Sequence, residues 1–135
     1  MKKTILISFL LLSCVLFYGQ GSSYNLGFSQ VLNFEYNTSM ISAYQESTVG
    51  SLTVPSGKVW KVSSGSCYPS PNNNAGCSIR IGNNVIYMVG NSASSAVANT
   101  PTWLNPGSYS VVISSILGQS SAFLGALTIV EFNIE

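Results

Sequence analysis

Tyr24-Asn-Leu-Gly-Phe-Ser-Gln-Val-Leu-Asn-Phe-Glu-Tyr36 is the stretch that decides the fold. Its even positions, Tyr24, Leu26, Phe28, Leu32, Phe34 and Tyr36, are apolar, with Gln30 as the exception. Its odd positions, Asn25, Gly27, Ser29, Asn33 and Glu35, are polar or small, with Val31 as the exception. A period of two marks a strand with one buried face and one wet face, whereas a helix repeats every 3.6 residues. The chain ends on the same rhythm. Ala122, Leu124, Ala126, Thr128, Val130, Phe132 and Ile134 share one face of a last strand. Phe123, Leu127 and Ile129 lie on the other face before Glu131 and Asn133, which predicts that its middle is covered on both sides.

Shorter strands separated by turn signals fill the interval. Ser47 to Val54 ends at Pro55-Ser56-Gly57, and Lys58 to Ser66 follows with Val59, Trp60 and Val62. Ser78 to Ile81 and Val85 to Val89 flank Gly82-Asn83-Asn84, a hairpin signal because Gly and Asn tolerate positive φ. The Ser/Ala-rich stretch 92–101 reads as loop, and Met40 to Tyr44 as one more short strand. Trp103-Leu104 meets the turn Asn105-Pro106-Gly107, and Tyr109 to Ser115 is a further strand. No segment after residue 20 offers a capped helical stripe. The expectation is an all-β fold: a single antiparallel β-sandwich, jelly-roll-like, of about seven or eight strands. Its long first and last strands would pair and bring the two ends together.

Two phrases, Val54-Pro-Ser-Gly-Lys-Val-Trp60 and Pro101-Thr-Trp-Leu-Asn-Pro-Gly-Ser-Tyr109, resemble the strand-turn-strand phrases of secreted β-sandwiches, including adhesins and tail-fibre heads. The resemblance covers a small part of the chain. It implies the fold and transfers no catalytic or ligand residue.

Residues 1–20 read as a cleavable secretory signal peptide. Lys2 and Lys3 precede an apolar run from Ile5 to Tyr18, and Gly19-Gln20-Gly21-Ser22 supplies the small and polar end. The run falls short of the roughly 20 apolar residues of a membrane-spanning helix. Leu11-Leu12-Ser13-Cys14 also resembles a lipobox, in which Cys14 would be acylated, but Val15 to Tyr18 prolong the apolar run beyond it. Residues 21–135 form one β-sandwich domain, expected to be secreted or held at the cell surface of a bacterial-type envelope, with the periplasm as the alternative.

Beyond the leader, Lys58, Lys61 and Arg80 stand against Glu35, Glu46, Glu131 and Glu135, so the charges sum to 3 − 4 = −1. Nucleic acid is set aside as a partner for want of a basic patch to neutralise phosphates. A polybasic membrane-surface segment is missing for the same reason. Charged residues make up 7% of the chain against 46% hydrophobic, so little like-charge repulsion opposes self-association.

Cys67 and Cys77 are the two cysteines beyond the leader, and an even count in an exported chain predicts a disulfide. Closing so short a loop should contribute about 2.5–3 kcal/mol. A redox or metal-thiolate role would require an electropositive setting or further ligands.

The chain contains no His and no Asp. A Ser-His-Asp triad, a His-based zinc site and an Asp-rich calcium loop are therefore excluded. A glycosidase would need two of the four Glu across one bond. Their placement in sequence reads instead as solvated charges that discourage strand aggregation. A Ser-Lys pair using Lys58 or Lys61 is uninformative in a Ser-rich chain, and no Gly-rich phosphate cradle occurs. Asn37-Thr38-Ser39 matches a glycosylation acceptor that a bacterial-type leader leaves unused. No catalysis and no cofactor are expected.

Association remains. A nearly uncharged exported β domain with long alternating strands suits a self-associating surface, adhesive or matrix protein. Residues 24–36 would serve as a strand donated to a neighbour's sheet, or the domain would close into a homotrimer as TNF-like and C1q-like jelly rolls do. The alternative is a carbohydrate-binding module. Trp60, Trp103, Tyr44, Tyr68, Tyr87 and Tyr109 are the aromatics available for stacking on a glycan. Trp60 is expected in the core. Trp103 and Tyr68, with Asn72, Asn73 and Asn74 as hydrogen-bonding partners, are the candidate ligand residues.

Overall fold

A computed structural model describes residues 25–69, 75–90 and 97–135. The leader over 1–20, Cys14 and Asn72 to Asn74 lie outside the described residues. Nine strands run in order: β1 (Leu26–Asn37), β2 (Glu46–Val54), β3 (Lys58–Pro69), β4 (Cys77–Ile81), β5 (Asn84–Val89), β6 (Val97–Ala98), β7 (Thr102–Leu104), β8 (Gly107–Ser115) and β9 (Phe123–Ile134). Among the described residues there is no helix.

The strands form two antiparallel sheets packed as a sandwich. One has the order β1-β9-β3-β7 and the other β2-β8-β4-β5-β6. The chain crosses from one sheet to the other at nearly every connection, which is the double Greek-key winding of a jelly roll. Gly82, at φ 55, opens the tight turn that pairs Ile81 with Asn84, as glycine does at the first central position of a hairpin turn. The first and last strands pair along their full length, from Leu26 opposite Ile134 to Asn37 opposite Leu124. The expected closure of the two ends is thus present.

Between the sheets lies a core of Leu52, Val62, Ile79, Ile81, Ile86, Leu104, Val111, Ile113, Phe123, Leu127 and Ile129, with Trp60 buried among them. Cys67 of β3 is bonded to Cys77 of β4 with their Cα atoms 6.1 Å apart, so the disulfide ties one sheet to the other.

Four expectations are corrected. The even face of β1 is not continuous, because the β1–β9 register shifts between Phe28 and Gln30 and leaves Ser29 as an extra residue. A bulge moves every later side chain to the opposite face. Leu32, Phe34 and Tyr36 pack on the core, while Leu26 and Phe28 point outward and are exposed. In β9 the odd positions Phe123, Leu127 and Ile129 face the core, and the even face is only half-buried rather than covered by another element. Met40 to Tyr44 contributes one isolated bridge, Ile41 with Ser121, in place of a strand. Val97–Ala98, expected within a loop, pairs with Met88 and Tyr87 at the edge of the five-stranded sheet.

Candidate functional site

The outer face of the β1-β9-β3-β7 sheet is the surface where the exposed candidate residues gather. Strand pairing sets its side chains in rows. Leu26 lies beside Ile134, Phe28 beside Phe132 and then Val59, and Val31 beside Val130, Lys61 and Trp103. These three rows are apolar except for Lys61. Further along the same face come Asn33, Thr128 and Ser64, then Glu35, Ala126 and Ser66, and finally Asn37, Leu124 and Tyr68. One end of the face is thus apolar and the other polar.

At the apolar end, Phe28 is 65% exposed, Val31 51% and Trp103 48%. Trp103 leans on Phe132, with ring centroids 5.7 Å apart, and the Lys61 ammonium sits 5.6 Å from the Trp103 ring. That arrangement combines ring packing with a cation–π contact. Apolar side chains this exposed and this close together are what interaction surfaces present.

Beneath that end, on the inner side of the sheet, Glu131 is 4% exposed. Its Oε2 accepts from Trp60 Nε1 at 2.8 Å, and its Oε1 accepts from Ser29 Oγ at 2.9 Å and Gln30 Nε2 at 3.2 Å. Lys58 Nζ stands 3.1 Å from Oε1 and also donates to Asn133 and to Ser29. Burial alone would raise the Glu131 carboxyl, but the hydrogen bonds from Trp60, Lys58, Ser29 and Gln30 outweigh it and hold it at about 2. The expectation of a solvated Glu131 is corrected. Its four partners come from β1 and β3, and the extra residue at Ser29 is what allows both Ser29 and Gln30 to reach it.

The candidate aromatics do not form one platform. Trp60 is in the core, 6.0 Å from Phe34 between ring centroids. Tyr87 and Tyr109 are half-buried against the core, while Tyr44 is exposed in the connection before β2. Trp103 and Tyr68 share the outer face at opposite ends. Lys61, the neighbour of Trp103, precedes Tyr68 by seven positions along β3, roughly 20 Å of extended chain. Tyr68, 52% exposed, borders a hollow of about 200 Å3 lined by Glu35, Tyr36, Tyr68, Leu124, Gly125 and Ala126.

Glu46 and Glu35 lie apart from Glu131. Glu46 receives two hydrogen bonds from Arg80 Nη2, each 2.7 Å, on the outer face of the other sheet. Glu35 lies on the outer face of the four-stranded sheet. Among the described residues no group of three His, Cys, Asp or Glu is placed to hold a metal ion. Comparison with protein-family models, curated proteins and solved structures finds no match for the chain.

Sequence reasoning missed that Phe28, Val31 and Lys61 share the apolar end of this face and that Glu35 lies toward its polar end. The available signal was the interruption of the alternation at Gln30 and Val31, which marks the bulge. Nothing local pointed to Glu131, because its partners Ser29 and Gln30 are more than 100 residues away in sequence.

Proposed function

We propose that this is an exported, non-catalytic β-sandwich that acts by associating with further copies of itself through the outer face of its β1-β9-β3-β7 sheet, as a surface, adhesive or matrix structural protein. The observation that supports this reading is the set of three cross-strand rows, apolar apart from Lys61, that expose Leu26, Phe28, Val31 and Trp103.

Area and charge agree with it. Three strands of twelve residues each span roughly 600 Å2 in plan, from a rise of about 3.3 Å and a spacing of about 4.8 Å. Stable interfaces bury about 800 Å2 per partner, so most of the face would be engaged. Its paired strand positions hold one cation, Lys61, and one anion, Glu35, so two such faces meet without net repulsion.

The sheet edges offer a second mode of contact. β1 and β2, of twelve and nine residues, end the two sheets on one flank, while β7 and β6, of three and two residues, end them on the other. Long edges accept added strands and short ones do not. Because β1 hydrogen-bonds to β9 alone, it is the long strand of its sheet that can exchange without splitting the sheet.

The test is light scattering coupled to size-exclusion chromatography on the exported chain across a hundredfold concentration range. A trimer, another closed oligomer or a growing polymer supports the reading. A monomer at every concentration rejects it.

A further inference from the structure

The geometry points to a second site on this domain, a one-ring carbohydrate subsite in the hollow between Tyr68 and Glu35, separate from the apolar rows. Its construction follows from the sheet register. Glu35 of β1 and Ser66 of β3 both pair with Ala126 of β9, and Tyr68 follows one row beyond Ser66. β1 and β3 are two strand spacings apart, about 9–10 Å. Between them β9 turns Ala126 to this face at the level of Glu35, and Tyr36 and Gly125 also line the hollow. Ala126 leaves the floor low while Glu35 and Tyr68 rise as walls. Leu124 closes the end beside Tyr68.

Each wall supplies what a sugar ring recognises. Tyr68 is half-exposed and directly follows Cys67, whose disulfide to β4 anchors its position. An aromatic ring held in place at the surface stacks on the C–H face of a pyranose while its hydroxyl stays wet. Glu35 has no hydrogen-bonding or ion-pair partner among the described residues. A carboxylate with both oxygens free accepts from two adjacent hydroxyls. The hollow, at about 200 Å3, is smaller than the roughly 300–1,000 Å3 of sites for drug-sized ligands and suits a single ring of a longer chain. With a carboxylate and no cation at the site, acidic sugars are disfavoured, and neutral glycosides probe stacking and hydrogen bonding without a charge term.

Titrating the isotope-labelled exported chain with methyl glycosides of glucose, galactose, mannose and N-acetylglucosamine, read by amide chemical shifts, tests the assignment. Glycerol at matched concentration controls for bulk polyol effects. We expect at least one glycoside to give saturable shifts at Glu35, Ala126 and Tyr68, with a dissociation constant in the millimolar range. Tyr68→Ala should weaken binding at least tenfold, Tyr68→Phe should retain it, and Glu35→Gln should weaken it several-fold. Both positions are exposed, so the unshifted remainder of the spectrum verifies folding. No saturable shift with any glycoside, shifts centred on the Trp103 row, or unchanged binding by Tyr68→Ala would each overturn the proposal. Association through the same face would cover Glu35 and Tyr68, so the titration is repeated on the Phe28→Ser, Val31→Ser variant with its oligomeric state checked by light scattering. This site and the association reading then fail separately.

Discussion

Replacing Glu131 with Gln removes one charge from the buried end of the sandwich and leaves four donors facing a single acceptor oxygen. Trp60 Nε1, Ser29 Oγ, Gln30 Nε2 and Lys58 Nζ all point at the carboxylate. A Gln amide accepts through one oxygen and presents two N–H donors of its own to this cluster. An unsatisfied buried polar group costs about 1–3 kcal/mol, and breaking a fully buried ion pair about 3–5 kcal/mol. The Lys58 side chain is 27% exposed, so water recovers part of its solvation, and the expected loss is about 2–3 kcal/mol. The pH dependence carries an independent signature. The folded carboxyl sits at about 2, below its ordinary 4.5. Its stabilisation is therefore complete above pH 4.5 and is lost as pH falls toward 2, amounting to up to about 3 kcal/mol. Urea unfolding of the wild type and Glu131→Gln at pH 7 and at steps down to pH 2 measures both effects. The variant should be less stable at neutral pH and should converge on the wild type in acid. A variant within about 0.5 kcal/mol of the wild type at pH 7, or two curves falling in parallel below pH 4.5, would refute the reasoning.

Other perturbations separate the core, the cross-link and the surface. Replacing Cys67 and Cys77 together by Ser should lower unfolding stability by about 2.5–3 kcal/mol from loop entropy, and reductant should destabilise the wild type but not the variant. Leu127→Ala truncates a fully buried side chain in the middle of β9 and should cost about 2–5 kcal/mol in urea unfolding. Glu46→Ala removes an exposed partner of Arg80 and should change stability by no more than about 1 kcal/mol in the same assay.

Alternation at the two ends made β1, β9 and their pairing legible, because period two over a dozen residues is hard to mistake. Pro-Gly and Gly-Asn-Asn turns located β2, β3, β4, β5 and β8 in the same way. The orientation of side chains was less legible. Ser29 and Ser63 are single extra residues at which pairing slips, between Phe28 and Gln30 and between Val62 and Ser64. A serine in an alternating run gives no sign of whether it occupies a pleat or a bulge. The broken alternation at Gln30 and Val31 was the one sign of the slip, and the paired strands show that it turns Phe28 outward. The same holds for Glu131, which looks like a terminal charge until β1 and β3 bring their donors around it. Trp103 and Tyr68 looked like parts of one platform because sequence reveals residue type before strand order. Their separation along β3 assigns them different surroundings, a ring packed on Phe132 and an open hollow beside Glu35.

Sedimentation equilibrium comparing residues 21–135 of the wild type with their Phe28→Ser, Val31→Ser double variant tests the association surface most directly. Both side chains are exposed, so substitution should leave the unfolding midpoint nearly unchanged. The account predicts concentration-dependent association of the wild type and a monomeric variant of equal stability. A monomeric wild type, or a variant that associates as strongly as the wild type, would contradict it.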